Sequence, residues 1–259
     1  MSNIPIGVQL YSVREECARD LPGTLAAIAA MGYDGVEFAG YYDHTAAQLR
    51  KMLDDVGLKC CGTHTGLNTL QGDALAATVE FHQTLGNPYL IVPWIDESMR
   101  ADRASCQATA AIFNEIAAKL APHGMKTGYH NHHVEFTPVN GETPWDSLFT
   151  ATDSSVVMQL DTGNALAGGA DLAAILHKFP GRGATLHLKP YTTALAAEGG
   201  MEAGYRPLIG LDEVPWRTVF DLVEQAGGTE WYIVEYESDA FPPLDAVDRC
   251  LKVLRAWGK

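Results

Sequence analysis

The feature that most restricts the fold of this chain is a rhythm. Eight short apolar runs, each followed by a longer stretch of helical periodicity, fill its 259 residues from end to end. The runs fall at 6–10, 35–38, 59–63, 89–92, 126–130, 156–160, 185–188 and 231–235. They are brief and rich in β-branched and aromatic residues, as strands covered on both faces should be. Between them lie segments such as LPGTLAAIAAMG and VPWRTVFDLVEQAGG, whose apolar residues recur at helical spacing. Alternating strands and helices lead to a parallel sheet, because each strand must return in the same direction through a crossover helix. Two architectures remain, an open doubly wound sheet and a closed barrel. The open sheet normally carries a glycine-rich phosphate loop after its first strand, whereas this chain reads Gln9-Leu10-Tyr11-Ser12-Val13-Arg14. Barrels of eight strand–helix units typically need roughly 250 residues. No linker or low-complexity segment interrupts the pattern. The expectation is therefore an α/β fold, a (β/α)8 TIM barrel, with a single domain over residues 1–259.

The turns support the same reading. Glycine stands just before a strand at Gly32, Gly57, Gly124 and Gly227, where a left-handed residue would close the preceding helix. The helix-to-strand turns are thus short. The strand-to-helix segments are longer and richer in His, Asn, Asp and Glu, which is the asymmetry of a barrel whose chemistry sits at the C-terminal ends of its strands. The longest irregular segment, 190–213, follows the seventh strand and has the length of a lid or binding loop.

Charge and cysteine content remove several classes of function. A net charge of -14 opposes a phosphate backbone, so nucleic acid is not an expected partner. The same charge favours a divalent cation over a polyanion. The five cysteines show no CxxC pair; they read as buried small apolar residues, and an odd count suits a reducing cytoplasm. The start, MSNIPIGVQLYS, lacks the basic and apolar regions of a signal peptide. No apolar run reaches the ~18 residues of a membrane span. A cytoplasmic location without membrane contact follows as an expectation.

The chemistry is read from the strand ends. The fifth strand ends in Tyr129-His130-Asn131-His132-His133-Val134-Glu135, the sixth in Asp161-Thr162-Gly163-Asn164, the seventh in His187-Leu188-Lys189 and the eighth in Glu235-Tyr236-Glu237. Alone, each His or Glu would read as a solvated or structurally bonded side chain, and Asp161 as a helix N-cap. Together they place a carboxylate or imidazole at the end of four consecutive strands, and a barrel converges all four on one mouth. Buried carboxylates without a cation are costly, so a mononuclear divalent-metal site is expected from Asp161, His187, Glu235 and a histidine of the fifth strand end. His130 and His132 share a face if the strand stays regular, leaving His133 to the wall or surface. Mixed nitrogen and oxygen ligands suit Mn2+, Zn2+, Co2+ or Fe2+ better than Mg2+ or Ca2+. His44, His82, His123 and His177 fall in helical or loop contexts and read as structural or solvated.

The ordered fragments Gly7-Val8-Gln9-Leu10-Tyr11-Ser12, Gly35-Val36-Glu37-Phe38, Gly62-Thr63-His64-Thr65, Gln159-Leu160-Asp161-Thr162-Gly163-Asn164, His187-Leu188-Lys189 and Ile233-Val234-Glu235 resemble the xylose-isomerase-like TIM barrels. That family includes tagatose epimerase and other sugar epimerases, hydroxypyruvate isomerase, inosose dehydratase and endonuclease IV. The resemblance spans essentially the whole chain. It implies one divalent metal, often Mn2+, held by Glu, Asp, His and Glu on strands five to eight. Asp161, His187 and Glu235 carry over directly. Where many members read Glu-Asn-His, this chain reads His130-Asn131-His132, which places His130 at the fourth ligand position with His132 as competitor.

By this resemblance the chain is a metal-dependent sugar isomerase or epimerase, acting on a keto sugar by proton abstraction and a metal-stabilised enediolate. The alternative is a lyase that expels a β-leaving group, for example from a 3-keto glycoside. An endonuclease IV-like phosphodiesterase and a non-catalytic sugar-binding barrel are the remaining readings. The expected catalytic residues are Glu235 and His132 as acid and base, with Lys189 stabilising negative charge. Gln9, Tyr11, Glu37, His64, Trp94, Glu135 and Asn164 are expected at the substrate. The expected partner is a small carbohydrate, unphosphorylated because no Arg/Lys cluster stands at the strand ends; a homo-oligomer is compatible with the sequence.

Overall fold

Strands form where the apolar runs fall, because each run is short and its side chains pack on both faces of a pleated surface. They are β1 Ile6–Gln9, β2 Gly35–Ala39, β3 Lys59–His64, β4 Tyr89–Val92, β5 Lys126–His130, β6 Val157–Gln159, β7 Thr185–Leu188 and β8 Trp231–Val234. A computed structural model describes residues 4–259. Residues 1–3, where the expected domain and the expected leaderless start begin, lie outside the described residues.

The strands pair in parallel in the order β6-β5-β4-β3-β2-β1-β8-β7. Between β6 and β7 the ladder thins to a single parallel bridge, Asp161 to His187, with the His187 N–H donating to the Leu160 carbonyl at 2.9 Å. The ring is thus a nearly closed (β/α)8 barrel. An open sheet would leave β6 and β7 as exposed edges; here they face each other.

Alternation along each strand sorts the side chains into two cores. Val8, Phe38, Leu90, Tyr129, Met158, Leu186 and Val234 point outward and pack with the helices. Cys61, Tyr89, Ile91, Val157, Ala184, Trp231 and Ile233 form a separate apolar plug inside the ring. Adjacent Cys60 and Cys61 divide between the two, as neighbours on a strand must. All five cysteines are buried and free. Close strand approach is made possible by glycine at Gly128 of β5, where a Cβ would sit 2.2 Å from the Val157 carbonyl oxygen of β6.

The helices close as their sequences direct. Gly32 and Gly57, with φ of 99° and 77°, take the left-handed conformation that ends Leu21–Met31 and Ala46–Val56. Segment 190–213 departs from the irregular loop expected. It contains two short helices, Thr193–Gly199 and Met201–Gly204, broken at Gly200 with φ of 82°. The Ala-rich run TALAAE favours helix locally. The Glu213 carboxylate ties the first of these down, accepting from Thr192 Oγ1 at 2.6 Å and the Thr193 N–H at 2.9 Å. Among the described residues no helix is long and apolar enough to cross a membrane.

Candidate metal centre

The strand ends deliver four side chains to one point. His130 ends β5, Asp161 follows β6, His187 lies in β7 and Glu235 follows β8. One ligand atom from each lies within 4.8 Å of all the others, and all four residues are buried. Of the two histidines left open by the sequence, His130 belongs to this group. His132 stands beside it, their ring centroids 5.3 Å apart, on the turn that leads into the short helix His133–Phe136. His64 stacks on His187 at 5.4 Å and 9°, forming a second triplet with His130 and His187.

The electrostatics fit a cation. Burial would push the His187 pKa down, but Glu37 at 2.6 Å and Glu235 at 2.5 Å outweigh it and raise it to about 10. His187 thus carries a proton wedged between carboxylates. Burial would raise Glu235, yet Lys189 and His187 hold it well below the usual carboxylate range. Asp161 is raised by burial, which Lys189 only partly offsets. Its Oδ1 caps the helix Thr162–Ala167 by accepting the Asn164 N–H at 2.7 Å, while its Oδ2 is buried with no hydrogen-bond partner among the described residues. An unpartnered buried carboxylate oxygen is costly. A divalent ion among the four ligand atoms would supply the missing partner, and two imidazoles with two carboxylates form a donor set for a first-row transition metal. Burial, then the charges of His187 and His64, hold His130 well below its ordinary pKa, so it is a neutral imidazole able to ligate.

The rim holds the groups expected to act. Lys189 Nζ lies 3.4 Å from Glu235 Oε1 and is also paired with Glu237. His132 is lowered to about 4, chiefly by burial and then by Lys189. Trp94 packs edge-on to His132 at 5.3 Å and is 50 % exposed; Tyr11 is 43 % exposed. Next to Tyr11, whose ring Arg14 covers, a groove of about 740 Å³ opens between the segments after β1, β7 and β8, with Arg14, Arg206, Glu237 and Phe241 in its lining.

Four residues expected at the substrate are hydrogen-bonded to protein partners. Gln9 and Glu37 lie beneath the ligand ring with no exposure, Gln9 Nε2 donating to Glu37 at 2.7 Å. Inward-facing residues one layer below the strand ends meet each other rather than the mouth. Glu135 turns back into the wall, where its carboxylate accepts from Tyr129 Oη at 2.9 Å and the His132 N–H at 2.7 Å, with Arg100 Nε at 3.4 Å. Asn164 spends its side-chain amide on the Asn131 carbonyl (3.1 Å) and the Tyr205 hydroxyl (3.0 Å). Among the other histidines, His82 is buried and His44, His123 and His177 are partly or fully exposed.

Sequence reasoning assigned no role to Gln159, Arg100 or Tyr205. Gln159 was open to detection, since a residue two before Asp161 shares its face of the strand. Tyr205 reaches Asn164 from 41 residues away, and nothing local announces it.

Comparison with known proteins agrees with this architecture. A family profile described as xylose isomerase-like TIM barrel matches residues 25–257. The inosose dehydratase of Klebsiella pneumoniae subsp. pneumoniae is 25% identical over 246 residues, covering 83% of this chain and 82% of the relative. The structure of a sugar phosphate isomerase/epimerase from Parabacteroides distasonis superimposes with a TM-score of 0.84 at 21% identity, covering 99% of this chain and 97% of the other. The IOLI protein with a bound zinc atom superimposes with a TM-score of 0.72 at 13% identity, covering 97% of each chain. At those identities the two structures speak for the fold alone.

Proposed function

The chain belongs to the xylose isomerase-like TIM barrel family, and from that premise we propose that it is a divalent-metal-dependent enzyme that removes the proton beside the carbonyl of a keto sugar. The main support is Asp161 Oδ2, a buried oxygen without a partner inside a ring of His130, His187 and Glu235. These four residues would hold a divalent ion, Mn2+ in first place and Zn2+, Co2+ or Fe2+ otherwise, which would supply the Lewis-acid charge that makes such a proton removable near neutral pH.

The chain's own residues supply the rest. His132 is neutral above about pH 4, so near neutral pH it is in the unprotonated form that a general base requires. Glu235 stays ionised beside Lys189 and is the second group of the right type. The Lys189 ammonium, fixed between Glu235 and Glu237, brings positive charge to the place where a carbonyl oxygen gains negative charge. Trp94 and Tyr11 offer aromatic faces to the apolar side of a sugar ring.

Return of the proton to the sugar makes the protein an isomerase or epimerase, the reading we place first. Expulsion of a β-leaving group makes it a lyase, a reading favoured by the dehydratase relatives. Either way the partner is a small carbohydrate, without nucleic acid or membrane, met in the cytoplasm by one domain over residues 1–259, alone or as a homo-oligomer. Incubating metal-loaded protein with keto sugars and 3-keto glycosides in D2O separates the outcomes. Deuterium in the recovered sugar marks isomerisation, and released water or aglycone marks elimination. No exchange and no release with any of these substrates would reject proton abstraction.

A further inference from the structure

We propose that a buried polar layer beneath the metal centre, built on Glu37 and Gln159, fixes the tautomers of the two histidine ligands so that different ring nitrogens face the ion, Nδ1 of His187 and Nε2 of His130. The inference rests on the metal centre described above and makes Glu37 and Gln159 positioning residues.

A neutral imidazole has one N–H and one lone pair, and only the lone pair can bind an ion. The nitrogen turned away from the metal must therefore be held as a donor by an acceptor on the protein. Glu37 is such an acceptor, since a carboxylate has no hydrogen to give. Its Oε1 receives Gln159 Nε2 at 2.8 Å, and its Oε2 receives Gln9 Nε2 at 2.7 Å and His187 Nε2 at 2.6 Å. His187 Nε2 accordingly carries a hydrogen with or without an ion, and the second hydrogen of the metal-free ring lies on Nδ1, where a bound ion would displace it. Its Nδ1 points to the other ligands, 2.5 Å from Glu235 Oε2 and 3.9 Å from Asp161 Oδ2.

The same carboxylate sets the second histidine through Gln159. An amide beside a carboxylate must present its NH2 group, and Gln159 Nε2 meets both Glu37 Oε1 and Thr185 Oγ1, the latter at 2.9 Å. Gln159 Oε1 is then the atom 3.1 Å from His130 Nδ1 and 3.0 Å from His64 Nε2, and both nitrogens donate to it. His130 keeps its lone pair on Nε2, on the side of the ring away from the layer. One buried carboxylate thus orders both imidazoles. The layer has no exposure to solvent, so water does not compete for these hydrogens.

The test reads the rings directly and needs no substrate. Protein labelled with 15N-histidine and loaded with 113Cd2+ should show cadmium coupling at Nδ1 of His187 and Nε2 of His130, with the other nitrogen of each ring protonated. Coupling at the other nitrogen of either ring overturns the proposal. Glu37→Gln, nearly isosteric but able to donate as well as accept, should weaken Zn2+ binding in chelator competition by about 10–100-fold and mix the His187 ring states. Unchanged affinity with unchanged ring states also overturns it, and if the variant does not fold, the wild-type spectra decide. Failure of the wild-type protein to take up Zn2+ or Cd2+ would instead reject the metal centre itself, and this inference with it.

Discussion

Lys189→Met would test whether the strand-end cluster is built to hold a cation. Lys189 is 2 % exposed, and its ammonium lies 3.4 Å from Glu235 Oε1, pairs with Glu237 and sits 5.1 Å over the Tyr205 ring. Methionine retains most of the stem's volume and removes the charge. Glu235 would then be a buried carboxylate with His187 as its remaining close cation. Breaking one side of a buried pair costs about 3–5 kcal/mol. In a chain of this size each kcal/mol moves Tm by roughly 2–4 °C, so the metal-free variant should melt on the order of 10 °C lower. A divalent ion among the ligands restores positive charge beside Glu235 and, without the ammonium, meets less repulsion. The melting deficit should therefore shrink by at least half in saturating Zn2+ or Mn2+, and the variant should bind the ion more tightly than wild type. Calorimetry of chelator-treated and metal-loaded protein reads the first effect, and chelator competition the second. An equal deficit in both states, or weaker metal binding by the variant, would refute the coupling between Lys189 and the cation site.

Two other perturbations address the same fold. Asp161→Asn keeps the Oδ1 that caps Thr162–Ala167 while removing a buried charge, so it should fold with a metal-free Tm no lower than wild type and lose stoichiometric metal; retained metal by elemental analysis would count against Asp161 as a ligand. His82 is buried, and burial lowers its pKa from 6.5 to about 4. The unfolded chain binds the extra proton first, so stability is full above pH 6.5 and falls as pH drops towards 4, by up to about 3 kcal/mol. His82→Gln should flatten that part of the urea-midpoint profile, and parallel profiles for the two proteins would show that His82 does not contribute.

The fold was legible because its cause is local. All eight strands form within the predicted runs or one residue to either side, from Ile6–Gln9 to Trp231–Val234, since a strand buried on both faces must be a short apolar run whatever surrounds it. Asp161, His187 and Glu235 were legible for the same reason: a barrel brings every strand end to one mouth. His130 was legible through the family resemblance, whereas the place of His132 beside the cluster was not, because the regular strand ends at His130 and the chain enters a turn at His132. Segment 190–213 hid two short helices whose anchors, Glu213 and Tyr205, act on residues distant in sequence.

The sequence by itself determined a parallel eight-stranded barrel and the chemical types collected at its mouth, because both follow from periodicities of two and 3.6 residues that any stretch of chain carries within itself. Only the tertiary structure decided which of these side chains converge on one point and which are committed to partners beneath or beside it. Gln9, Glu37, Glu135 and Asn164 are polar residues near strand ends like the others, yet each is committed to a partner from another strand or loop. That commitment depends on the stagger between neighbouring strands and on the depth of each residue below the rim, and both are set when the ring closes.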